Sequence, residues 1–155
     1  MTSFLSTFVN KIDKKGRVSV PAPFRASLAA EIFSGVIAYP SLIDPAIDVF
    51  GRSTLEELNR RRLHKNMDDG DFEKALLGHG DPIIDTIMAL SHELPFDGQG
   101  RIILPQTLID AANLVSEAVF VGRGNRIQVW NPENFISHQN DAVSALREKL
   151  KGGIA

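Results

Sequence analysis

Five cations crowd the start of this chain. Lys11, Lys14, Lys15, Arg17 and Arg25 share residues 11–25 with a single acid, Asp13, a local net charge of +4. An arginine at a hairpin tip can fork onto the O6 and N7 of guanine or clamp a phosphate. It can equally pair with the aspartate four positions before it, and spacing alone leaves both readings open. Lys14 and Lys15 suit phosphate positioning, because compact ammonium groups on flexible stems place a backbone better than they read a base. Lys11 and Arg25 are further candidates for the same role. Asp13 is acidic and is read as structural, holding its turn or orienting Arg17.

The remaining reactive residue types form no site. The chain has no cysteine, so disulfides, thiolate metal ligands and a cysteine nucleophile are excluded. His64, His79, His92 and His138 lie far apart, and none has metal-ligand spacing with a carboxylate. No Ser/His/Asp set or paired carboxylates stand at usable spacing, so the chain is expected to be neither an enzyme nor cofactor-dependent. Gly122-Arg123-Gly124-Asn125 lacks the phosphate-loop lysine and reads as a hairpin turn. The basic run Arg60-Arg61-Arg62 reads first as a solvated or ion-paired helix face.

The basic segment belongs to an internal repeat. Residues 13–21, DKKGRVSVP, recur as DGQGRIILP at 97–105, an offset of 84. Asp13, Gly16, Arg17 and Pro21 match Asp97, Gly100, Arg101 and Pro105. Arg101 is therefore a second DNA-contact candidate, and Asp97 and Gly100 are turn residues like Asp13 and Gly16. Gly98 and Gln99 replace the two lysines, so residues 95–109 have no net charge. Ile47-Asp48-Val49-Phe50 likewise resembles Ile127-Gln128-Val129-Trp130.

Each copy predicts strand, turn, strand, short helix, strand, strand, helix. Val18-Ser19-Val20 alternates as a half-buried strand should. Glycine and aspartate suit the turns, and the prolines end a strand and open a helix. Phe24 and Leu28, spaced i, i+4, give that helix one apolar face. Ser53 and Glu56 read as a capping box for a helix to about Lys65. Asn131-Pro132 reads as a cap opening a last helix, which Gly152 and Gly153 should stop. Residues 71–90 read as mostly helical, broken at Pro82. Phe50 and Trp130 are equivalent positions expected in the core.

The phrases FLSTFVNKIDKKGRVSVPAPFR, DGQGRIILP and GRGNRIQVWNPENF together resemble the MraZ family, in the superfamily of AbrB-like and MazE-like proteins. The chain departs from that family at Ser6 and Thr7, where glycine and an acidic residue are frequent, a difference expected to alter an edge-strand detail. The resemblance implies an α+β fold, a tandem duplication of an AbrB-like swapped-hairpin unit forming a double-split β-barrel with flanking short helices. The implied divisions are a first half at 1–66, a helical connector at 67–92 and a second half at 93–155. It further implies ring-shaped homo-oligomers that bind tandem repeats in the promoter of the division and cell-wall gene cluster, with the two D-x-x-x-R segments facing double-stranded DNA. An antitoxin-like module binding a toxin and its own promoter is the alternative, although little chain follows the last helix.

Composition fits that picture. The chain has 155 residues, 43% hydrophobic and 23% charged, as ordinary globular proteins do. Its net charge of -2 argues weakly against nucleic acid, but the local charge at 11–25 matters more. MTSFLSTFVNK has no basic stretch ahead of a long apolar run, and no segment nears the ~18 apolar residues of a membrane span. A cytoplasmic, nucleoid-associated protein without membrane contact is the expectation.

Overall fold

A computed structural model of the chain describes residues 3–68 and 81–154. The elements run β1 (Thr7–Lys11), β2 (Arg17–Ser19), α1 (Ala22–Ser27), β3 (Gly35–Pro40), β4 (Ala46–Phe50), α2 (Arg52–Asp68), α3 (Pro82–Leu90), β5 (His92–Pro95), β6 (Arg101–Ile103), α4 (Gln106–Ala111), β7 (Glu117–Gly122), β8 (Ile127–Trp130) and α5 (Pro132–Ile154). The fold is mixed α+β, and each copy of the repeat contributes the same order of elements. The strands interleave. A six-stranded antiparallel sheet runs β1-β7-β8-β4-β3-β5, and a two-stranded sheet pairs β2 with β6. The large sheet is open, with β1 and β5 at its edges.

Register shows how the copies are related. Val18 pairs with Ile102, its own equivalent in the second copy. Asp48 pairs with Gln128, again its equivalent. An approximate twofold axis therefore passes through both pairs. Alternation along the strands then divides two faces. One face meets the β2–β6 ribbon around a shared core that contains Val18, Val20, Phe24 and Leu28 with their counterparts Ile102, Leu104, Leu108 and Ala112. The opposite face carries two smaller clusters. Ile37, Tyr39 and Phe50 pack with Ile87 of α3 and with Leu55 and Leu58 of α2. Trp130 packs with Val119, Val121 and Phe135 of α5. Phe50 and Trp130 are thus buried, but on the face away from the central core.

Between those clusters lies the buried axis pair. Gln128 Nε2 donates to Asp48 Oδ1 at 2.9 Å, and Gln128 Oε1 accepts from Trp130 Nε1 and Arg123 Nε, each at 3.0 Å. These bonds satisfy a polar pair that would otherwise cost several kcal/mol to bury, on the order of 2–7. Burial, and then the neighbouring Asp48 carboxylate, push the Tyr39 hydroxyl far above its ordinary range.

Two local expectations change. The first turn of α2 is not held by a Ser53–Glu56 box. Glu31, 22 residues upstream of Ser53, accepts from Ser53 N at 2.8 Å and from Ser53 Oγ at 2.5 Å. As expected, Pro82 stands at a helix boundary: it occupies the first turn of α3 behind Asp81, which accepts from Ile84 N at 3.0 Å. The rest of the expected connector helix, with His79, lies outside the described residues. Finally, α5 passes through Gly152 and Gly153 to Ile154. Its start matches the expectation: Asn131 Oδ1 accepts from Glu133 N and Asn134 N at 2.9 and 3.1 Å.

Candidate nucleic-acid interface

Both D-x-x-x-R segments form the same three-dimensional unit. In the first, Gly16 N donates to Asp13 O at 3.0 Å and Asp13 N donates to Arg17 O at 3.0 Å, which closes a tight turn. Gly16 sits at φ +80°, a left-handed conformation suited to glycine. A Cβ there would also lie 3.0 Å from the carbonyl oxygen of Leu104. The second turn repeats this with Gly100 at φ +75°. Each turn is tied to the other copy's strand: Leu104 N donates to Gly16 O at 2.9 Å, and Val20 N donates to Gly100 O at 3.1 Å. Antiparallel pairing of β2 with β6 puts the two turns at opposite ends of the ribbon.

The aspartates organise the arginines. Asp13 Oδ1 accepts from Lys15 N and Arg17 N, each at 2.9 Å, while Oδ2 accepts from Arg17 Nε at 2.6 Å. Asp97 does the same with Gln99 N at 2.8 Å, Arg101 N at 2.9 Å and Arg101 Nε at 2.7 Å. The backbone amide of Arg17 holds the Asp13 carboxyl below its ordinary range, and that of Arg101 does so for Asp97. Pairing with aspartate and pointing at a ligand are therefore compatible. The Nε edge of each guanidinium is anchored, and the two Nη groups have no protein partner among the described residues. The arginine side chains are 33% and 29% exposed, so they are held without being sealed off. Such a fork can meet a phosphate or a guanine edge.

The other candidates scatter around this pair. Lys14 and Lys15 occupy the tip of the first turn and are exposed. With Gln106, Ile109 and Val115 of the second copy they border a shallow depression. Lys11 lies on β1 opposite Glu117. Arg25 is half-buried on α1, and its Nε donates to Val20 O at 3.0 Å. Its guanidinium packs against Gly100, so it sits at the second turn and not the first. Sequence spacing could not show this, since it depends on a strand exchange between copies. The Arg60-Arg61-Arg62 run is ion-paired. Arg60 and Arg61 donate to Glu57, whose carboxyl is pulled down to about 2, mainly by Arg60, and Arg62 bonds Asp85 of α3. Among the described residues no acidic or histidine cluster could hold a metal, and no helix is long and apolar enough to cross a membrane.

Comparison with known proteins agrees with the geometry. Residues 87–151 match the profile of a family described as "MraZ protein, putative antitoxin-like". The chain is 42% identical over 149 residues to the transcriptional regulator MraZ of Rickettsia felis, and 43% identical over 149 residues to that of Rickettsia rickettsii. Each alignment covers 96% of this chain and 95% of the relative. Likeness of this extent spans both turns, the interleaved sheet and the helices, and the chain belongs to the MraZ family.

Proposed function

We propose that this protein is a sequence-specific DNA-binding transcriptional regulator, acting in the cytoplasm at the nucleoid on the promoter of the division and cell-wall gene cluster through tandem operator repeats. The observation that carries this reading is the pair of matching turns, each presenting a guanidinium anchored at Nε and with no partner at either Nη group among the described residues. Arg17 reads or clamps DNA, and Lys14 and Lys15 add phosphate contacts. Lys11 contributes at longer range. Arg101 offers a second, less basic contact. Asp13, Gly16, Asp97 and Gly100 shape the turns. The halves 1–66 and 93–155, joined by 67–92, fold as one double-split barrel, and copies of the chain close into a ring that presents many such turns at once. That its relatives are named as transcriptional regulators supports regulation over catalysis. The antitoxin-like alternative draws only on the description of the matched family.

The test is titration against the duplex upstream of the protein's own gene. With roughly 6 phosphate contacts, affinity should fall about 10³-fold between 50 and 200 mM salt. Arg17→Ala should cost about 1–3 kcal/mol for each engaged subunit and remove the preference over scrambled DNA. Arg101→Ala should weaken binding less. Salt-independent binding, or an Arg17→Ala variant as selective as the natural protein, would overturn the reading.

A further inference from the structure

Arg25 stands nine residues after Gly16 in the chain, yet its side chain serves the opposite turn. The β2–β6 ribbon is antiparallel about Val18 and Ile102, so each turn meets the helix of the other copy. A Cβ built on Gly100 would lie 2.6 Å from Cζ of Arg25 and 2.7 Å from its Cδ. The residue equivalent to Arg25 is Ile109, and its Cδ1 lies 3.6 Å from a Cβ built on Gly16. One turn is therefore backed by an isoleucine and the other by a guanidinium. Arg25 joins no ion pair among the described residues, its Nε being bound to the carbonyl of Val20.

We propose that Arg25 and Arg101 together form a composite phosphate-binding site at the second turn, with Arg25 supplied across the twofold axis from the first copy. The inference rests on the nucleic-acid reading above and gives Arg25, so far only a candidate for phosphate contact, a location and a partner. Both guanidinium groups are anchored at Nε, one by a backbone carbonyl and one by Asp97 Oδ2 at 2.7 Å. The remaining N–H groups can fork onto a phosphate. The Asp97 carboxylate is already engaged by Arg101, so Arg25 has no counterion of its own among the described residues and an anion is favoured there. Counting Arg25 where it lies changes the balance of the two segments from +4 against 0 to +3 against +1. Glycine at position 100 suits the positive φ and leaves room for Arg25, which a side chain there would displace.

The experiment is a double-mutant cycle read as affinity for the same duplex across a salt series, with circular dichroism checking the fold. Arg25→Gln should weaken binding about tenfold per engaged subunit and reduce the log–log salt slope by about one unit per engaged subunit. Arg25→Lys, which keeps the charge, should retain most of the slope. The effect of Arg25→Gln should be non-additive with Arg101→Ala and additive with Arg17→Ala. Should Arg25→Gln fail to fold, Ile109→Arg provides the converse test, since a guanidinium placed beside Gly16 should steepen the slope. Natural affinity and slope in Arg25→Gln, coupling to Arg17 rather than Arg101, or an unchanged slope in Ile109→Arg would each overturn the composite site while leaving the DNA-binding reading intact. Absence of duplex binding by the natural protein would overturn both.

Discussion

Ser6 holds a backbone conformation that side chains rarely adopt, at φ +76°. Its carbonyl accepts from Gly122 N at 2.8 Å, which fastens the entry of β1 to the end of β7. The left-handed conformation costs an L residue roughly 1–2 kcal/mol, and glycine escapes most of that. Sequence comparison with the family pointed to this position as an edge-strand difference, and the backbone supplies its physical meaning. Ser6→Gly should therefore raise stability by up to about 1 kcal/mol, part of the gain being lost to the greater freedom of glycine in the unfolded chain. Urea unfolding would show this as a higher midpoint at unchanged m-value. A midpoint at or below the natural one would mean that the serine conformation is not strained.

At the scale of elements, α2 depends on a residue from outside its own sequence. Glu31 lies in the segment after α1 and reaches the first turn of α2 through both carboxylate oxygens. Gly51 leaves room for it, since a Cβ there would lie 2.7 Å from the Glu31 carboxyl carbon. A carboxylate at a helix N-terminus also meets the positive end of the helix dipole. Glu31→Ala should destabilise the protein by about 1 kcal/mol, the usual cost of removing an N-cap. The effect should be visible as a lower thermal midpoint followed by far-ultraviolet circular dichroism. Ser53→Ala should cost less, because the backbone amide of Ser53 keeps its bond to Glu31. Equal losses in the two variants would return the capping role to Ser53.

At the scale of the molecule, the interleaved strands make the two copies interdependent. Neither copy builds the core alone, since β1 pairs with β7, β2 with β6, β4 with β8 and β3 with β5. Several large apolar side chains stay exposed all the same, among them Ile32, Ile43, Val115, Leu146 and Leu150. Heterologous contacts between subunits would cover such residues, and a closed ring leaves no end unsatisfied. The proposed assembly predicts a discrete mass of several subunits by light scattering at micromolar concentration. It also predicts markedly tighter binding to two operator repeats than to one, because the second contact is made within the complex. A monomer with equal affinity for one and for three repeats would dismiss the ring.

What the amino-acid sequence determined by itself was local and periodic. The recurrence of Asp, Gly, Arg and Pro at an offset of 84 implied two matching turns. The alternation of Val18-Ser19-Val20 marked β2, and Asn131-Pro132 marked the start of α5. These features are written within a few residues of one another, where backbone preference and hydrogen-bonding chemistry act directly. Only the tertiary structure decided which turn each cation serves, because antiparallel pairing across the twofold axis carries Arg25 away from its own turn to Gly100. The same exchange pairs Asp48 with Gln128, and packing within the first copy brings Glu31 to the start of α2. Each of these contacts joins residues far apart in the chain, and their positions are set by burial of a shared core.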